Sequence, residues 1–236
     1  MHIPAMNLEI ERIYAKALAA GQRTLAVTAA NPGEGTTSVA LALAQRNLLA
    51  GHSTVVVDMN LHHPALQQVL DLPALPNSTA LLNNPQLVGT SGSEIAVTGI
   101  TVPSRRESLT KLRKPGVLEQ CIDELLGRFD TVIFDTSSVN RVNANNIPAE
   151  RVAAACDGTV LVVLAGRTSE TMISTAVHKL NDAGAHITGC ALNDRDNPAL
   201  IDELLREVDR LPPRLARLKR WLQGKIRQTS LLALEI

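Results

Sequence analysis

Short apolar runs alternate with helical periodicity from residue 24 to about residue 210. Leu25 to Thr28 predicts a strand, followed by a Gly-rich turn and an Ala/Leu-rich helix to about Ala50. Thr54 to Val57 predicts the next strand and ends at Asp58, and Val132 to Phe134 predicts another that ends at Asp135. Thr159 to Leu164 is β-rich and almost uniformly apolar, a helix spans Ser169 to Ala183, and Ile187 to Leu192 follows it. Strands that are apolar throughout and separated by helices describe a parallel sheet covered on both faces. Right-handed crossovers then give an α/β fold, a three-layer, doubly wound, mostly parallel sheet. Such folds bind ligands beyond the carboxyl ends of their strands, where Asp58, Asp135 and the Gly-rich turn all fall.

Residues 72–107 break this rhythm, with Pro73, Pro76, Pro85 and Pro103 among many small polar residues. They read as an inserted surface excursion with one further strand near Ile95 to Thr101. No internal repeat is present. Residues 1–211 are expected to form one α/β domain, with residues 1–20 as an N-terminal helix, and residues 212–236 a basic amphipathic helix and tail. From Arg210 to Arg227 there are seven basic residues and no acidic one. Leu215, Leu218, Leu222 and Ile226 recur there at helical spacing, and Trp221 lies among them. Such a helix suits anionic lipid or an acidic partner surface, unless its apolar stripe packs on its own domain.

Composition narrows the function. A hydrophobic share of 45% supports a large core, but aromatics at 2% force that core to be aliphatic. Few aromatics also argue against a base-stacking nucleic-acid reader, and a formal net charge of +0 provides no global field toward nucleic acid or lipid. Cys121, Cys156 and Cys190 show no metal-ligand spacing and read as small buried hydrophobes in a reducing compartment. No segment reads as a secretory signal or membrane span, so a cytoplasmic protein is expected.

The chemistry lies in Val27-Thr28-Ala29-Ala30-Asn31-Pro32-Gly33-Glu34-Gly35-Thr36-Thr37-Ser38, between a strand and a helix. Glycines at 33 and 35 let the backbone turn its amides inward as an anion nest, and the helix adds its N-terminal partial charge. Thr37 falls where a phosphate loop places its Mg²⁺-ligating hydroxyl. The strand–loop–helix setting makes the domain P-loop NTPase-like.

With Asp58-Met59-Asn60-Leu61-His62-His63-Pro64 and Phe129-Asp130-Thr131-Val132-Ile133-Phe134-Asp135-Thr136, this loop resembles the bacterial tyrosine kinases (BY-kinases) of capsule and exopolysaccharide systems. These are members of the MinD/ParA group of P-loop ATPases. The resemblance runs from about residue 8 to 195 in motif order. Glu9 and Arg12 are similar to part of the family's N-terminal oligomerisation motif, Asp157-Gly158 precedes a strand as in the family, and Gly189 to Asn193 is similar to its adenine-contacting segment. The resemblance implies that Gly33, Glu34, Gly35, Thr36, Thr37 and Ser38 surround the phosphates of ATP or ADP and that Asn193 faces adenine. It further implies that Thr37, Asp58 and Asp135 organise Mg²⁺, with Asp58 and Asp135 the catalytic carboxylates of any activity. It also implies a homo-oligomer docked on the cytoplasmic part of an inner-membrane polysaccharide co-polymerase-like protein.

The sequence departs from that pattern at charged positions. The family has lysine where this chain has Thr36, and Thr24 to Gln45 contains no Lys or Arg to replace it. That lysine follows charge developing on the transferred phosphoryl group. Asn60 replaces an aspartate and His62 an arginine, while the one tyrosine, Tyr14, lies far from the C-terminal cluster these kinases phosphorylate. The expected protein is therefore a pseudokinase with weak or absent nucleotide binding. The alternatives are an ATPase or kinase given its cation in trans, by Arg12, Arg105 or Arg106, and a MinD/ParA-type positioning ATPase.

Overall fold

The computed structural model describes residues 3–60, 86–88, 97–101, 110–141, 146–196, 200–210, 212 and 216–228. The chain divides into two compact units, Met1–Asn193 and Asp194–Ile236.

Among the described residues the first unit contains seven strands: β1 (Thr24–Ala29), β2 (Thr54–Asp58), β3 (Gln86–Val88), β4 (Val97–Thr101), β5 (Thr131–Asp135), β6 (Gly158–Leu164) and β7 (Ile187–Asn193). They form one sheet in the order β3-β4-β2-β5-β1-β6-β7, parallel except for β3 against β4. Every residue of β1, β2, β5 and β6 is buried, the outcome expected for strands apolar throughout. The mostly parallel three-layer arrangement of the sequence reading is the one observed. Two features differ from it. The short antiparallel β3 lies in the stretch read as irregular, and β7 is an edge strand whose Cys190 and Leu192 are exposed. Cys190 is therefore not a buried hydrophobe like Cys121 and Cys156.

The helices are α1 (Leu8–Ala17), α2 (Thr36–Leu49), α3 (Val117–Leu126), α4 (Ala149–Ala154) and α5 (Glu170–Asp182). Successive strand residues point to opposite faces of a sheet, and two separate apolar clusters follow. Leu25, Val27, Val56, Ile133 and Val160 pack with α1 and α2, whereas Ala26, Val57, Val132, Phe134 and Leu161 pack with residues of α3, α4 and α5. Helix α2 is buried through most of its length, from Val39 to Gln45, because Ala and Leu dominate all its faces. Asn7 caps α1 by accepting from Glu9 N at 2.8 Å, and Arg46 of α2 pairs with Glu11 and lies 4.4 Å over the Tyr14 ring. These contacts bind α1 to the helix that begins at the phosphate loop.

The second unit contains α6 (Leu200–Asp209) and α7 (Ala216–Gln228), which pack against each other. Where a single C-terminal amphipathic helix was expected from Pro212, the basic helix has a partner helix.

Candidate nucleotide-binding site

Strand order brings the site together. β5 lies between β1 and β2, with Val27 beside Asp135 in one register and Asp58 beside Asp135 in the other. The Gly-rich loop and two carboxylates therefore meet at one rim of the sheet, although 98 residues separate Thr37 from Asp135.

The loop is shaped by Gly33 and Gly35, at φ 81° and 102°, a region that favours glycine because it has no Cβ. Gly35 has a second constraint: a Cβ there would stand 2.6 Å from Nδ2 of Asn193, whereas one at Gly33 would meet nothing within 4 Å. Gly35 caps α2 without a side-chain hydrogen bond. The first backbone N–H groups of the helix thus lack a side-chain acceptor at the cap, as an anion-binding helix start requires.

Glu34 has a different place from the one its position in the motif suggests. It is 3% exposed, and its carboxylate accepts from Asn31 N and Asn31 Nδ2 at 3.0 Å each and from Thr168 Oγ1. That carboxylate is committed to holding the loop, which leaves only the Glu34 backbone free to meet a ligand. Asn193, expected to face adenine, donates through Nδ2 to the Glu34 carbonyl at 2.9 Å. Asn31 also donates to Met172 Sδ at 3.4 Å, and Asn140 donates to Met172 O at 2.9 Å. Asn31, Asn140 and Thr168 thus join the loop to the start of α5. Their residue types are common in turns, and nothing in their local sequence marks them out.

Thr36, Thr37 and Ser38 are half-buried at the start of α2. Thr37 Oγ1 donates to Asp135 Oδ2 at 2.6 Å. Asp135 is 1% exposed, and its other oxygen, Oδ1, is buried with no hydrogen-bond partner. Burial pushes its carboxyl up to about 6, while the Thr37 and Thr36 hydroxyls pull it down. Desolvation prevails because it penalises the charged form, and hydroxyl dipoles return only part of the lost hydration. Asp58, equally buried, accepts from Asn60 N at 2.9 Å, and Asn60 Oδ1 accepts from Asn146 Nδ2 at 3.4 Å. Asn146 O in turn accepts from Arg113 Nη2. Asn60, read as the weakened partner of Asp58, is thus turned toward a network the sequence did not reveal. His62, His63, Arg105 and Arg106 lie outside the described residues.

The residues fit Mg²⁺ with a nucleotide. An unpartnered buried carboxylate oxygen next to a threonine hydroxyl is a donor set awaiting a hard cation. Mg²⁺ takes one or two protein carboxylates and completes its shell with water and phosphate oxygens. Among the described residues there is no group of three or more His, Cys, Asp or Glu that would hold a metal without such added ligands.

The fold recurs in known proteins. No protein-family model matches the chain. Over 179 residues it is 28% identical to the tyrosine-protein kinase CpsD of Streptococcus agalactiae, covering 72% of this chain and 75% of that protein. Over 178 residues it is 24% identical to the putative tyrosine-protein kinase CapB of Staphylococcus aureus, covering 72% and 75%. The kinase domain of the Escherichia coli tyrosine kinase ETK superposes with a TM-score of 0.62 at 20% identity, over 79% of this chain and 72% of that one. The septum site-determining protein MinD of Pyrococcus horikoshii, complexed with Mg-ADP, superposes at 0.55 and 20% identity, over 84% and 76%. The chain is similar in sequence to bacterial tyrosine kinases and shares its fold with the ETK kinase domain and with MinD.

Proposed function

We propose that this protein is a BY-kinase-like pseudoenzyme of polysaccharide biosynthesis and export. In this reading it works at the inner face of the cell membrane, docked on the cytoplasmic part of a chain-length-determining, co-polymerase-like membrane protein. It assembles through α1, where Glu9 and Arg12 are exposed. The single observation that carries the pseudoenzyme reading is the neutral Thr36 at the head of α2, one residue before the Thr37 that bonds Asp135. A cation there would stabilise the transferred phosphoryl group in the transition state, and a hydroxyl provides only a dipole. Loop amides, Thr37 and the Asp58–Asp135 pair support residual binding of ATP or ADP with Mg²⁺. When bound, Mg²⁺ neutralises phosphate charge. The chain's own part is to seat the phosphates on the helix start and to orient the metal from Asp135.

Isothermal titration of ATP–Mg²⁺ into the parent and into Thr36→Lys tests this reading. The parent is expected to bind weakly or not at all, and the lysine variant about 10- to 100-fold more tightly, the range of one charge-assisted hydrogen bond. Tight binding by the parent with brisk hydrolysis would overturn it. The competing reading, a cation supplied in trans, draws support from exposed Arg12. It predicts hydrolysis that rises with protein concentration and disappears in Arg12→Ala.

A further inference from the structure

The two helices of the second unit have opposite charge. Helix α6 contains Asp202, Glu203, Glu207 and Asp209 against one base, Arg206, while α7 contains Arg217, Lys219, Arg220, Lys225 and Arg227 and no acid. Where they meet, Lys219 Nζ pairs with Asp209 Oδ1 at 2.8 Å and Gln223 Nε2 donates to the same oxygen at 2.9 Å. Leu222 and Ile226 are half-buried, so part of the expected apolar face does pack. Leu218 does not remain with them. It is 44% exposed, and Trp221, the only tryptophan of the chain, is 59% exposed. Spacings of three and four residues align Leu218, Trp221 and Lys225 along one stripe, with the exposed Arg220 beside it.

A single exposed leucine needs no explanation. An exposed tryptophan next to a leucine, flanked by two bases on a helix without acids, has the makeup of an interfacial surface. We propose that this stripe docks α7 on an anionic phospholipid surface. Trp221 would lie at headgroup depth, where an indole meets both apolar and polar surroundings. Leu218 would enter the acyl boundary, and the long stems of Arg220 and Lys225 would keep their charges among the phosphates. An acidic protein surface would satisfy the bases equally, but it would need a matching apolar pocket for Trp221 and Leu218, which a lipid boundary supplies everywhere along its surface. No residue of the stripe belongs to the nucleotide loop, so the Thr36→Lys titration can fail without bearing on it.

Because Trp221 is the sole tryptophan, its emission reports the contact directly. The full chain is titrated with phosphatidylcholine vesicles, with the same vesicles containing phosphatidylglycerol, and with soluble polyglutamate. Expected are a blue shift and co-sedimentation with the anionic vesicles only, weakened by salt. Each basic group near an anionic surface contributes about fivefold in partition, so Arg220→Gln with Lys225→Gln is expected to lower it about 25-fold. Both positions are exposed, and an unchanged circular dichroism spectrum shows the variant still folded. No shift with anionic vesicles, or equal partition by the double variant, overturns the proposal. A blue shift with polyglutamate matching that with vesicles also overturns it, in favour of an acidic protein partner.

Discussion

At the amino-terminal rim of the sheet, Asp157 accepts from Arg23 N and Thr24 N at 2.9 Å each, while its own N–H donates to Thr24 Oγ1 at 2.7 Å. Next to it, Asp130 accepts from Ser53 N and Ser53 Oγ, and these hydrogen bonds hold its carboxyl below the usual range. At the carboxyl-terminal rim, Asp135 is buried with one oxygen bonded to Thr37 and the other to nothing. The first rim uses its carboxylates to fix strand register, joining β1 to β6 and the start of β2 to β5. The second rim leaves hydrogen-bonding capacity unfilled, at a cost in stability. Strain of this kind is expected where a fold is arranged for a ligand rather than for itself.

The largest test of this contrast is Asp135→Asn. The folded-state value of about 6 lies above the ordinary 3.8. Between these two values the folded chain retains a proton that the unfolded chain has released. The contribution of Asp135 to stability is therefore fully present below about pH 4 and is lost as pH rises through 6. A difference of about 2 pH units corresponds to about 3 kcal/mol. Urea denaturation at neutral pH should show Asp135→Asn more stable than the parent by up to that amount, with the gap closing near pH 4. Equal stabilities across this range would mean that the second rim carries no such penalty.

The opposite change at the other rim should have the opposite sign. Asp157→Ala removes the acceptor of two backbone N–H groups, one of them on the buried Thr24. Its expected cost is about 2 kcal/mol, since an unmet buried donor keeps its desolvation penalty. Nucleotide titration should be unaffected because the residue lies at the far end of β6. A loss of stability under about 0.5 kcal/mol would show that water replaces the carboxylate without penalty.

The rims also differ in how far the sequence revealed them. Asp58 and Asp135 stood out because each ends a uniformly apolar run, and burial on both faces is what a parallel sheet imposes. The glycines of the loop were legible for their backbone freedom. The carboxylate of Glu34 was not, because its partner Thr168 is 134 residues away and joins it only through the sheet. The network from Asn60 through Asn146 to Arg113 was hidden for the same reason. Edge position is likewise a property of strand order, so β7 read as one more buried strand until its neighbours were known. At the C-terminus, periodicity put Leu218 and Leu222 on one face but could not show where the partner helix α6 would stop covering it.

The smallest expected effect concerns Tyr14, the single tyrosine in a chain similar to tyrosine kinases. It is 8% exposed, with the Arg46 guanidinium 4.4 Å over its ring and Arg46 itself held by Glu11. What this arrangement needs is the aromatic face, because a cation is attracted to the ring quadrupole and not to the hydroxyl. Tyr14→Phe keeps that face and should change stability by no more than about 0.5 kcal/mol, the range of substitutions that touch no special feature. Thermal denaturation of the two proteins side by side measures it. A larger loss would place the hydroxyl among groups that the fold requires, alongside Asp157. A null result assigns Tyr14 to the α1–α2 contact through its ring alone. In that contact the side chain is covered, and a kinase could reach it only after α1 lifts away from α2.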